Sequence, residues 1–159
     1  MPAIPSARFG HVNVVARDWR RLAAFYESVF GCEPVPPERD YAGPDLAAGA
    51  AVPDARLRGI HLRLPGGGFD GPTLEVYTYD TPPYEHEIEP PTVHRPGFGH
   101  IAFAVDNVRA ARQAVLAAGG EAVGEAVESV TSTGQRVTWC YCRDPEGNIV
   151  ELQRWSDAA

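Results

Sequence analysis

Phe9-Gly10-His11-Val12-Asn13-Val14-Val15 recurs 89 positions later as Phe98-Gly99-His100-Ile101-Ala102-Phe103-Ala104. The alignment runs on without a gap, placing Arg20 with Arg109 and Gly31 with Gly120. Similarity at a fixed spacing means one supersecondary unit built twice. Val12 and Val14 alternate with their neighbours, as Ile101, Phe103 and Val105 do, so each copy predicts a strand. A helical pattern follows in each. Asp18 caps a first helix carrying Trp19, Leu22, Phe25, Tyr26, Val29 and Phe30, and Gly31 stops it. Asp106 or Asn107 caps a second helix carrying Val108, Ala111, Val115 and Leu116, which ends at Gly119-Gly120.

The later halves match as well. Gly71-Pro72-Thr73-Leu74-Glu75-Val76 resembles Gly147-Asn148-Ile149-Val150-Glu151-Leu152. Both are glycine turns followed by strands with a glutamate inside an apolar run. In the first copy, strands are predicted over Arg58 to Leu64 and Thr73 to Tyr79, joined by Gly66-Gly67-Gly68. In the second, they are predicted over Ala122 to Val130, Val137 to Cys142 and Asn148 to Arg154. Asp144-Pro145-Glu146-Gly147 turns between the last two. The Pro-rich and Ala-rich stretch from Pro34 to Arg56 reads as mostly loop, with a short helix around Asp45 to Ala51. These boundaries give one domain over 1–159, with module one at 7–80, a connection at 81–96 and module two at 97–155. The segment from Asp80 to Pro96 holds five prolines and four acidic residues, and is expected to pack across the surface or help cover a site.

Length and composition agree with this layout. The 159 residues suit one domain, and 44% apolar with 22% charged residues excludes a disordered chain. The net charge is −7, and all 14 basic residues are arginine. Without a clustered basic face, neither nucleic acid nor an anionic membrane is an expected partner. Without lysine, Schiff-base chemistry is excluded. Cys32, Cys140 and Cys142 show no C-x-x-C pair, so they read as small buried hydrophobes. The N-terminus lacks a signal-like apolar stretch, and no long apolar span occurs, which predicts a soluble cytoplasmic protein.

Each copy places one His at the start of its first strand and one Glu in its last. The set is His11, Glu75, His100 and Glu151. Taken singly, a strand-edge His or a solvated Glu needs no function. Their recurrence at both equivalent positions favours a divalent metal, because two carboxylates buried without a cation repel each other and lose hydration. Two imidazoles and two carboxylates suit Zn, Ni, Co, Fe or Mn.

The pattern resembles the vicinal oxygen chelate superfamily, which includes glyoxalase, bleomycin-resistance and extradiol dioxygenase proteins. The residues that carry it are Phe9 to Val14, Phe25-Tyr26, Leu74-Glu75-Val76, Gly99 to Asp106 and Asp144 to Leu152. The resemblance implies an α+β fold in which two βαβββ modules, related by a pseudo-two-fold, form a curved mixed sheet around a metal site. It places the metal ligands at His11, Glu75, His100 and Glu151. A His, Glu, His, Glu set looks most like bacterial glyoxalase I. Methylmalonyl-CoA epimerases carry Gln at the place of Glu75, and drug-sequestering members lack the set. The stretch Tyr77-Thr78-Tyr79-Asp80-Thr81-Pro82-Pro83 departs from the glutathione-related segment of glyoxalase I, which leaves glutathione use open. A homodimer is also implied, with the site closing within one chain or across two.

The activity so implied is that of a metal-dependent lyase or isomerase. A small substrate with vicinal oxygens would chelate the ion, and a proton would move through an enediolate. Glu151 is the favoured base and Glu75 its partner. Return of the proton to the neighbouring carbon isomerises, and return to the same carbon epimerises. Alternatives are an epimerase of an acyl-CoA-like substrate, an Fe(II) dioxygenase-like enzyme and a non-catalytic protein binding a small molecule such as an antibiotic. Asn13, Tyr77, Tyr79 and Gln153 share the strand faces of the ligands. Arg58, Arg63 and Arg95 are candidates for holding a substrate anion. His61, His86 and His94 have no repeated partner and are not expected to be ligands. Trp139 and Trp155 are expected in the core or at a dimer contact.

Overall fold

The computed structural model describes residues 3–84 and 89–156. It divides into two compact units. One comprises residues 1–27 and 31–85, the other residues 28–30 and 86–159.

The first unit contains β1 (His11–Val15), α1 (Trp19–Phe30, apart from its last turn), β2 (Glu33–Ala42), α2 (Pro44–Ala50), β3 (Arg56–Arg63) and β4 (Thr73–Thr81). Its sheet order is β1-β4-β3-β2, with β1 parallel to β4 and the other neighbours antiparallel. Asp18 caps α1 as the sequence predicts, accepting from the Arg20 and Arg21 amides at 3.1 Å. Gly31 ends the helix at φ +68°, a left-handed conformation that glycine adopts without a Cβ penalty. Thr78 fixes the helix start to β4, accepting from the Trp19 amide at 3.0 Å and donating to the Ala16 carbonyl at 2.8 Å.

Alternation along the strands separates two faces. Leu62 pairs with Leu74 and Ile60 with Val76 on the core face, where Leu62, Leu74 and Val76 are fully buried with Leu22 and Tyr26 of α1. His61 pairs with Glu75 and Gly59 with Tyr77 on the opposite face.

The second unit repeats the topology. It contains β5 (Ile101–Ala104), α3 (Val108–Ala117), β6 (Glu121–Ala122), β7 (Val127–Val130), β8 (Arg136–Arg143) and β9 (Ile149–Ser156). Its order is β5-β9-β8-β6, with β7 also on β8, and β5 lies parallel to β9. Asn107 is the cap of α3, accepting from the Ala110 amide at 3.0 Å. Cys140 pairs with Leu152 and Cys142 with Val150, all fully buried with Val115 of α3, so both cysteines are core residues. Phe30 stacks on Phe103 with ring centroids 3.9 Å apart.

Two expectations are corrected. The stretch read as loop after α1 is in large part the ten-residue strand β2, which holds Pro34, Pro36 and Pro37. It is an edge strand, and its register with β3 shifts between Val35 and Arg39. Proline is tolerated there because an edge strand has one side without ladder bonds. The expected helix follows it as α2. The single strand foreseen over Ala122 to Val130 is two short strands, each paired separately with β8.

The turn between β8 and β9 is built on Asp144, which is 2% exposed. Its carboxylate accepts from the Glu146 amide at 2.9 Å, the Asn148 amide at 3.0 Å and the Asn148 side chain at 2.8 Å. Gly147 takes φ +92°. Arg143 donates to the carbonyls of Pro91 at 2.7 Å and Gly147 at 3.1 Å, holding part of the proline-rich connection on this turn.

Candidate metal centre

In the first unit, β1 and β4 are parallel neighbours, with Asn13 beside Glu75. His11, two residues earlier on the same face, brings Nε2 to 3.5 Å from Glu75 Oε2. From the other side, β3 sets His61 opposite Glu75, with Nε2 at 3.2 Å from Oε1. The same His61 nitrogen lies 2.6 Å from Tyr77 Oη. The Glu75 side chain is only 13% exposed. Tyr77 lies across Gly59, where a Cβ would run into its ring and into the Val76 carbonyl. Burial, helped by the Glu75 charge, pushes the Tyr77 hydroxyl up to about 12. Burial lowers the His61 pKa, with Glu75 opposing it.

His61 is therefore part of this cluster, although its lack of a repeated counterpart set it aside in the sequence. The signal that would have found it is cross-strand register, which places it directly opposite Glu75.

In the second unit, His100 stands just before β5, and its Nε2 is 2.8 Å from Glu151 Oε2. The Glu151 side chain is 17% exposed. Across β8, Tyr141 takes the place that His61 has in the first unit, opposite Glu151. Its ring lies 5.2 Å from that of His100 and 5.2 Å from that of Trp139. Burial, reinforced by Glu151, raises the Tyr141 pKa.

Each unit thus brings its predicted His and Glu together as a pair. Imidazole nitrogen and carboxylate oxygen are the donors that a divalent transition metal takes, so the pairs fit such an ion. No group of three or more His, Cys, Asp and Glu side chains among the described residues is arranged to hold one. Two of the arginines considered for anion binding are engaged. Arg58 grips Asp80 with two hydrogen bonds of 2.6 and 2.9 Å, and Arg63 holds Glu33 at 2.9 Å. His94 and Arg95 are exposed on the connection, and His86 lies outside the described residues. Trp155 is 51% exposed and so is not a core residue. Among the described residues, no helix is long and apolar enough to cross a membrane.

The sequence signature of the Glyoxalase/Bleomycin resistance protein/Dioxygenase superfamily matches residues 8–152. The chain belongs to this superfamily. Solved structures of the glyoxalase type share its fold. A glyoxalase family protein from Bacillus cereus superposes with a TM-score of 0.82 at 19% identity, covering 98% of each chain. A glyoxalase/bleomycin resistance protein from Albidiferax ferrireducens gives 0.55 at 21% identity, over 93% of this chain and 99% of that one. The fosfomycin resistance protein FosX from Listeria monocytogenes, solved with Mn(II) and sulfate, gives 0.52 at 15% identity, over 93% and 92%. No curated protein matches the chain. At these identities the likeness is one of fold, and activity has to be argued from the site.

Proposed function

We propose that this superfamily member is a divalent-metal-dependent lyase or isomerase of glyoxalase I type, acting on a small substrate with two adjacent oxygens. The observation that carries the proposal is the recurrence of one His–Glu pair, at 3.5 Å and 2.8 Å, in two units of the same topology. Both carboxylates are largely shielded from water and face imidazoles. A shielded carboxylate loses hydration, and a cation held between such donors offsets that loss. His11, Glu75, His100 and Glu151 are assigned as metal ligands, with Zn, Ni, Co, Fe and Mn as the chemically suited ions.

When bound, the ion supplies Lewis acidity toward the paired oxygens of the substrate. The chain's own residues do the rest. Glu151 takes the proton from carbon and returns it, because its ion-pair partner among the described residues, His100, engages Oε2 and leaves Oε1 available. Glu75 is braced on both oxygens, by His11 and His61, which keeps it in place as a ligand. Return to the neighbouring carbon isomerises the substrate, and return to the same carbon epimerises it.

Calorimetric titration of the metal-free full chain with Zn(II), Ni(II) and Mn(II) tests this. One ion per chain is expected. Loss of a group that merely supports a ligand already weakens a site about 10–100-fold, so His11→Ala and His100→Ala should each weaken binding by more than about 100-fold. Absence of binding in the wild type, or wild-type affinity in both variants, would overturn the proposal.

A further inference from the structure

The face of the first unit that carries Glu75 also carries a cation without an acidic partner among the described residues. Arg39 of β2 lies opposite Gly59, and Gly59 lies opposite Tyr77. Paired residues of neighbouring strands share a sheet face, so Arg39, Gly59 and Tyr77 form one row. His61 and Glu75 form a second row on the same face. Tyr41, two residues after Arg39, confirms the orientation by packing edge-on to Tyr77, with ring centroids 6.5 Å apart.

Four other arginines on and beside this sheet are neutralised. Arg20, Arg56, Arg58 and Arg63 hold Glu38, Asp40, Asp80 and Glu33 at 2.6 to 2.9 Å. Arg39 is half-buried, and the hydrogen bond it makes runs from Nη1 to the Pro37 carbonyl. Among the described residues no carboxylate pairs with it. A guanidinium has five N–H donors in a planar fork, so the remaining Nε and Nη2 edge is free for two-point contact with a planar anion. A half-buried cation that has lost part of its hydration gains from an anion arriving from outside the chain.

We propose that Arg39 anchors a carboxylate of the substrate, and that the substrate class is a 2-oxo or hydroxy-carbonyl compound bearing a second carboxylate remote from the reacting carbon. β2 and β4 are two strand spacings apart, about 10 Å, so the anchored group stands several bonds from any atom that reaches Glu75. The identity of the reacting end rests on the metal-dependent reading above. The anchoring role of Arg39 does not.

The test is isothermal titration of the full chain with 2-oxoglutarate and with 2-oxopentanoate, which shares the reacting end and lacks the second carboxylate. It is run with and without saturating Mn(II). A charged hydrogen-bonded pair contributes about 1.5–3 kcal/mol, so the wild type should prefer 2-oxoglutarate by about 10-fold or more. Arg39→Ala should abolish that preference while leaving 2-oxopentanoate affinity and Mn(II) stoichiometry unchanged. Arg39→Gln, which keeps the side-chain bulk, should behave alike, and Arg39→Lys should retain part of the preference. No preference in the wild type, or an undiminished preference in the Ala and Gln variants, would overturn the assignment. A chain that binds no Mn(II) yet shows Arg39-dependent preference would sink the metal reading and leave Arg39 as the anchor.

Discussion

Gly59 shows how a residue without chemistry of its own positions those that have it. The Tyr77 ring lies over it, and the Tyr77 hydroxyl meets His61, which in turn meets Glu75. Gly59→Ala would drive a methyl group into the ring and the Val76 carbonyl, which are part of a fully packed strand pair. Overpacking of this kind costs about 1–3 kcal/mol. Urea unfolding should show a loss in that range. A variant as stable as the wild type would mean that Tyr77 moves freely, against the packing described. His11, Glu75, His100 and Glu151 were legible in the sequence because the repeat marks them twice. Gly59, His61 and Arg39 were not, because each gains its place from the strand opposite, and a single sequence does not state register.

Among the elements, the β8–β9 turn is the one whose chemistry is most local. Asp144-Pro145-Glu146-Gly147 announces a turn through its proline and glycine. The burial of the Asp144 carboxylate and the hydrogen bonds it accepts from Glu146 and Asn148 are visible only in the fold. Asp144→Ala leaves the Glu146 and Asn148 amides without that partner, and should lower stability by about 3 kcal/mol, measured by denaturant midpoint at unchanged m-value. An effect under about 0.5 kcal/mol would show that water replaces the carboxylate at no cost. Helices α1 and α3 were read correctly from cap and periodicity, since both signals lie within the helix. Strand β2 was not, because the prolines that argue against a strand in general are compatible with an edge, and edge position is a property of the whole sheet.

At the scale of the molecule, burial makes alkaline pH a source of instability. Burial pushes the Cys32 and Cys142 thiols up from 9.0 to about 12. The folded chain therefore keeps protons that the unfolded chain releases above about pH 9. Their contribution to stability is complete below that pH and is lost progressively as pH rises toward 12. Melting temperature should fall between pH 8 and pH 10, and Cys32→Ala together with Cys142→Ala should flatten that fall even if the variants melt lower throughout. An equal slope in the variants would sink the explanation. The native thiols should also resist a thiol reagent at pH 8 until denaturant is added.

In both units the opening strand lies parallel to the closing one, β1 on β4 and β5 on β9. This has a consequence for the order in which the chain acquires its shape. The strand that brings Glu75 or Glu151 is synthesised after the rest of its own unit, yet it sits between the other strands of the sheet. Neither sheet can assemble outward from its centre during synthesis, and loop closure over most of a unit precedes the first contact between its His and Glu. The His–Glu pair of each half therefore joins the first strand of its unit to the last, and it cannot form until that last strand is in place.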